Sequence, residues 1–164
     1  MRVFGVTGRK NAGKTTLVAA LVGELTGRGL TVSTLKRAHH GARLDAPGTD
    51  SDRHRAAGAR EVLLAAPGRW ALMREFAEGE GEPGLDALLG RLSACDLALV
   101  EGWKAEGHPK LEVWRAALGA PPLALTGAAA NVVAVASDDP VARMRRVALS
   151  DLRALADLVL EAAR

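Results

Sequence analysis

The sequence predicts an α/β fold: a mostly parallel sheet flanked by helices, with a small antiparallel extension. Three observations predict it. The loop Gly8-Arg9-Lys10-Asn11-Ala12-Gly13-Lys14-Thr15 joins a short apolar run to a segment of helical apolar spacing. Further apolar runs stand at 30–36, 96–102 and 131–136, spaced widely enough for crossover connections. Pro67-Gly68 separates two short runs that read as an antiparallel pair.

Val3-Phe4-Gly5-Val6-Thr7 reads as a buried first strand. The helix that follows runs from about Lys14 to Arg28, with Leu17, Val18, Leu21, Val22 and Leu25 on one face and Gly29 as its stop. Leu30 to Lys36 is β-rich and completes a βαβ unit, so the two strands should be parallel with a right-handed crossover. From Arg37 to Asp52 the chain is polar and aperiodic, and a loop of that length in a compact domain is usually functional or disordered. Asp50 or Ser51 is expected to cap a short helix through Ala57, stopped by Gly58.

Arg60 to Ala66 and Trp70 to Arg74 are the predicted antiparallel strands. Glu78 to Gly84 is an exposed acidic loop, and Asp86 to Leu92 a short helix. Asp96 to Gly102 is a buried strand. Lys110-Leu111-Glu112-Val113-Trp114-Arg115 alternates polar with apolar and reads as an edge strand. Pro121-Pro122 breaks the chain, Asn131 to Ala136 is a strong strand, and Ser150 is expected to cap a last amphipathic helix from Asp151. No repeat or linker interrupts the 164 residues, so 1–164 is read as one domain.

Composition narrows the function classes. Aromatic residues make up 3% of the chain, so the core must be built from Leu, Val and Ala. That scarcity, with a net charge of only +3, argues against a nucleic-acid binder. The single Cys95 excludes an intramolecular disulfide framework and a cysteine zinc cluster. The first residues already form a strand rather than a leader, and no apolar stretch approaches the roughly 20 residues of a membrane helix. A cytoplasmic protein is expected.

The glycine loop fits the G-x-x-x-x-G-K-[ST] pattern, which makes the expected fold P-loop NTPase-like. Glycines let the backbone wrap a phosphate, successive N–H groups point inward, and the helix N-terminus adds partial positive charge. Lys14 would neutralise the β- and γ-phosphates, and the Thr15 hydroxyl would bind Mg²⁺. The motif requires a carboxylate on a neighbouring strand. Glu101 ends the run Leu97-Ala98-Leu99-Val100 at the C-terminal side, where ligands sit in open α/β sheets, although it would also serve as a plain strand terminus.

The polar segment after the second strand holds Lys36, Arg37, His39, His40, Asp45, Asp50, Asp52, Arg53 and His54. Its place is that of a switch segment near the γ-phosphate, where Asp45 is a candidate for Mg²⁺ and Lys36, His39 and His40 for the nucleotide. Adjacent histidines in extended chain point to opposite faces, so an anion-binding role is preferred over a shared transition metal; a solvated loop is the plain alternative. Lys104 and Lys110 are either phosphate ligands or surface lysines. Asp138, in Ala136-Ser137-Asp138-Asp139, is the candidate reader of the base. Spacing alone leans to guanine, and Asp139 would equally cap a helix near Pro140.

These motifs in this order resemble the molybdopterin-guanine dinucleotide biosynthesis adapter family. The resemblance rests on Gly8 to Thr16, Leu35-Lys36-Arg37-Ala38-His39-His40, Asp45 to Ala59, Leu99-Val100-Glu101-Gly102-Trp103-Lys104 and Pro109-Lys110-Leu111-Glu112-Val113. It implies a fold related to dimeric GTPases, binding of GTP with Mg²⁺, weak GTP hydrolysis, and a homodimer. It also implies a partner, the guanylyltransferase that attaches GMP to molybdopterin. By motif, Gly8 to Thr16 would bind phosphates and Glu101 would serve the Mg²⁺ and water side. Arg37-Ala38 departs from the His-Thr pair of many members, so any imidazole role there is lost. A small-molecule P-loop kinase would want an arginine-rich lid, and only Arg143, Arg145 and Arg146 cluster. A metal-insertion GTPase would want ligands such as His39 and His40. A dimer is expected through Trp70 on one edge strand or Trp114 on another.

Overall fold

The computed structural model describes residues 1–38 and 45–164. The chain packs as two compact units, Met1–Arg37 with Leu85–Arg164, and Ala38–Gly84.

The larger unit is a six-stranded sheet. Its strands are β1 (Arg2–Thr7), β2 (Val32–Lys36), β5 (Leu97–Glu101), β6 (Lys110–Val113), β7 (Val132–Ala136) and β8 (Arg146–Val147), in the order β2-β5-β1-β6-β7-β8. Every neighbouring pair is parallel. Helix α1 (Lys14–Gly27) buries Leu17, Val18, Leu21 and Leu25, and α5 (Leu152–Ala162) buries Leu155, Ala156, Leu158 and Val159. These side chains meet Phe4, Val6, Leu97, Leu99 and Leu111 in one core. On a second core, Ala98 and Val100 of β5 pack with Leu35 and with Leu85 and Leu89 of α3 (Leu85–Leu89). All five β5 residues are buried, which is why this strand reads as a continuous apolar run rather than an alternating one.

Helix ends follow backbone geometry. After α1, Gly29 takes a φ of +88°, its N–H donates to the Thr26 carbonyl, and the Leu30 N–H reaches back to Leu25. The last helix is capped by Asp151, whose carboxylate accepts the Ala154 N–H at 3.0 Å, and not by Ser150. Gly90 follows α3 directly, so that helix is shorter than its apolar spacing suggested.

The expectation that Lys110 to Arg115 forms an edge strand is corrected. β6 lies inside the sheet, between β1 and β7. Its polar positions are buried because each is satisfied internally. The Lys110 ammonium donates to the carbonyls of Glu106, His108 and Ala130 at 2.6, 2.8 and 2.8 Å. The Glu112 carboxylate accepts the N–H groups of Leu123 and Ala124 at 2.6 and 2.9 Å, at the start of α4 (Leu123–Thr126). Trp114 is therefore not on an edge. It is half-buried, and its Nε1 donates to the Ala120 carbonyl at 2.7 Å. The sheet's edges are β2 and β8.

The smaller unit holds α2 (Asp50–Ala56) and the antiparallel pair β3 (Glu61–Ala66) and β4 (Arg69–Arg74). The predicted hairpin is present, with Ala66 opposite Arg69 across the Pro67-Gly68 turn. The cap of α2 is Thr49, whose side chain accepts the Asp52 N–H, rather than Asp50 or Ser51. Leu63 pairs with Leu72 and Ala65 with Trp70, so these share one face by strand periodicity. Leu63, Trp70 and Leu72 are exposed on it. Among the described residues no helix is long and apolar enough to cross a membrane.

Candidate phosphate-binding site

The site begins where β1 ends. Thr7 is buried at the strand's C-terminal end, and the chain turns through Gly8 at a φ of +143°. A Cβ on Gly8 would overlap the Val113 carbonyl of β6, so both conformation and space demand glycine here. Asn11 and Gly13 also take positive φ, at +64° and +101°, and Gly13 leads into α1 as its N-cap. Ala12 is fully buried beneath the loop, while Lys10, Asn11 and Thr16 are exposed. Arg9 reaches toward the Pro121 carbonyl with Nη2 at 3.4 Å.

Lys14 folds back on this loop, its Nζ donating to the Arg9 carbonyl at 2.8 Å. Burial draws its ammonium below the ordinary lysine value. The charge of Glu101 works against that shift, and the charge of Lys36 adds to it. Beside it the Thr15 hydroxyl donates to the Glu101 carboxylate, 3.0 Å from Oε1 and 3.1 Å from Oε2. The Lys36 Nζ donates to Thr15 Oγ1 at 2.9 Å and lies 3.4 Å from Glu101 Oε1. Register explains the meeting: Lys36 pairs with Glu101 across β2 and β5, and Val6 pairs with Glu101 across β1 and β5. A hydroxyl and a carboxylate oxygen already hold one cation, an ammonium. The same hard oxygens fit Mg²⁺.

Gly8 to Thr16, Lys36 and Glu101 are thus assembled at one end of the sheet. Asp138 lies at the C-terminal end of β7, where its Oδ1 accepts the Leu149 N–H at 2.9 Å. Its neighbour Asp139 accepts the Ala116 N–H at 2.7 Å. Both carboxylates therefore hold loops in place. Asp45 sits in the smaller unit and serves a local turn, accepting the Ala46 N–H at 2.8 Å and the Thr49 hydroxyl at 3.0 Å. Hydrogen bonding, first from Ser51, holds its carboxyl below the usual carboxylate range. His39 and His40 lie outside the described residues. Lys104 is exposed, and Lys110 is neither of the things expected of it, since its ammonium is buried on three carbonyls. No group of three or more His, Cys, Asp or Glu stands ready for a metal ion among the described residues.

Two residues were not expected from the sequence. Arg115 leaves β6 and donates from Nε to the Ala12 carbonyl at 3.2 Å, on the loop itself. Ideal Cβ positions at Gly13 would lie 3.8 Å from its Nη2 and 3.9 Å from its Nε. Nothing local in the sequence marks this contact across 103 positions. At the opposite end of the sheet, the His108 ring lies against Gly5 of β1, and both its ring nitrogens are buried without a hydrogen-bond partner. Burial, helped by the Lys110 charge, pushes its imidazole down to about 4. A cavity of about 420 Å³ opens there, lined by Val3, Asp86, His108, Asn131 and others.

Comparison with known proteins follows the same lines. The family model described as MobB, molybdopterin guanine dinucleotide synthesis protein B, matches residues 3–138. A molybdopterin-guanine dinucleotide biosynthesis adapter protein of Escherichia coli is 40% identical over 152 residues, 91% of this chain and 86% of that protein. One of the same description from Haemophilus influenzae is 37% identical over 139 residues, 85% of this chain and 76% of that protein. Among solved structures, a molybdopterin-guanine biosynthesis protein B superposes with a TM-score of 0.76 at 26% identity, covering 97% of this chain and 98% of that one.

Proposed function

Because the chain belongs to the molybdopterin guanine dinucleotide synthesis protein B family, we propose that it is a GTP-binding adapter in molybdenum cofactor biosynthesis, assisting attachment of GMP to molybdopterin. The observation that carries the nucleotide part is the cluster of Lys14, Thr15 and Glu101 at the mouth of the glycine loop.

Phosphates would lie in the cradle of backbone N–H groups from Gly8 to Thr16. Lys14 would exchange the Arg9 carbonyl for the β- and γ-phosphate oxygens, a stronger, doubly charged contact. Thr15 and Glu101 would hold Mg²⁺, which when bound neutralises phosphate charge. Asp138 is the proposed guanine contact at the C-terminal end of β7. Hydrolysis should be slow. The chain has no glutamine to orient water, and intrinsic GTPases lacking an arginine finger run on the order of 10⁻⁴ per second. The proposed working form is a homodimer that engages the guanylyltransferase handling molybdopterin.

Calorimetry with GTP and Mg²⁺ tests the nucleotide reading. Charged hydrogen bonds contribute about 1.5–3 kcal/mol, so Lys14→Ala should weaken GTP by about tenfold or more. A Lys14→Ala protein that binds GTP like the parent would overturn this function.

A further inference from the structure

Glu101 is a nearly buried carboxylate, its side chain 10% exposed, at the mouth of an anion site. Left bare, it would repel the very phosphates the loop is built to receive. A charge so placed needs a counter-charge. Of the two lysines beside it, Lys14 is turned toward the Arg9 carbonyl and feels Glu101 only as a nearby charge. Lys36 is the one that reaches it, at 3.4 Å from Oε1, and it also donates to Thr15 Oγ1 at 2.9 Å. Its backbone is fixed opposite Glu101 by the β2–β5 register, while its side chain stays 54% exposed and is free to leave.

We propose that Lys36 is a built-in counter-cation, a positioning residue that keeps Glu101 and Thr15 in working order when magnesium is absent and gives way when it is present. This rests on the nucleotide reading above. Thr15 Oγ1 and Glu101 Oε1 are the two oxygens the ammonium holds and also the two a divalent cation would take. Mg²⁺ sits about 2.0–2.1 Å from its oxygen ligands, so an ammonium and the metal exclude each other there. Lys36 therefore contributes to nucleotide affinity in the metal-free state and little in the metal-loaded one. A lysine acting as an ordinary phosphate ligand would contribute in both.

The test is GDP binding by calorimetry, in EDTA and in saturating Mg²⁺, for the parent, Lys36→Met and Lys36→Gln. GDP is chosen because it offers a released ammonium no γ-phosphate. In EDTA both variants should bind GDP about fivefold more weakly than the parent, the scale of a partly exposed ion pair. In Mg²⁺ all three should agree within about twofold, which also shows that the variants are folded. An equal loss in both conditions would overturn the proposal in favour of a plain phosphate ligand. No loss in EDTA would overturn it in favour of a bystander. A parent that binds neither GDP nor GTP in either condition would sink the nucleotide reading itself, and one that binds GTP but not GDP in EDTA would overturn the proposal alone.

Discussion

Gly5 stands in the middle of β1, where a side chain is normally wanted, and its replacement by alanine has a calculable cost. The added Cβ would lie 2.5 Å from His108 Nε2, 2.8 Å from His108 Cδ2 and 2.8 Å from Lys110 Cβ. The ring atoms can move only if His108 swings away. Lys110 Cβ can move only if β6 does, and β6 is tied to β1 at this point, with Gly5 paired to Lys110 and the Gly5 N–H donating to the Pro109 carbonyl at 2.8 Å. Forcing atoms into such a space costs about 1–3 kcal/mol. Against that, alanine gains about 0.5–1 kcal/mol over glycine within a regular element. Gly5→Ala should therefore lose about 1–2 kcal/mol, lowering Tm by about 2–8 °C for a chain of this size. Urea and thermal unfolding measure it, and a double-mutant cycle with His108→Ala apportions it. Truncating the ring should return part of the loss, because the Lys110 contact remains. A Gly5→Ala protein as stable as the parent, or one that gains nothing from loss of the His108 ring, would refute the packing argument.

Arg115→Ala should weaken GDP about threefold to tenfold, because a charge-assisted brace on the Ala12 carbonyl is lost. Arg115→Lys should recover most of this and GMP binding should hardly change; equal losses for GMP and GDP would point to general damage instead. The neutral His108 imidazole makes stability depend on pH. Its folded value of about 4 lies below the ordinary 6.5, so the unfolded chain binds more protons between those values. Stability should be full above about pH 6.5 and fall as pH drops toward 4, and His108→Asn should flatten that slope in melts across the range. Trp70 is 66% exposed beside Leu63 and Leu72 on the face of β3 and β4. Light scattering at micromolar concentration should show a dimer that Trp70→Ala weakens, and a monomer with and without GTP would reject it.

The first 36 residues were legible because their signals are local: an apolar run, a glycine loop, a helical stripe and a β-rich run. Glu101 was legible for the same reason, as the first charge after a buried run. The interior place of β6 was not. Lys110 and Glu112 alternate with apolar neighbours, and alternation normally means one wet face. Their burial depends on carbonyls of Glu106, His108 and Ala130 and on the N–H groups of Leu123 and Ala124, which only the folded chain brings together. Arg115 was hidden likewise. An arginine at a strand end is unremarkable until the glycine loop is found underneath it. The cap of α2 is Thr49, just before the expected Asp50 or Ser51, and that of α5 is Asp151, just after Ser150, since neighbouring polar side chains compete and backbone geometry decides.

The strand order carries a consequence for how the protein is made. β1 is synthesised before the other strands of its sheet, yet its two neighbours there are β5 and β6, and Arg2 aligns with Leu97. At synthesis rates of about 5–20 residues per second, roughly 5–20 seconds pass before that pairing can begin. Throughout that interval Phe4 and Val6, fully buried in the finished protein, have no sheet to enter. The glycine loop that β1 feeds lacks its packing against Val113 and its hydrogen bond from Arg115 until those residues arrive. The complete motif is thus made well before its packing partners, and a chain truncated before residue 113 should bind nucleotide more weakly than the finished protein.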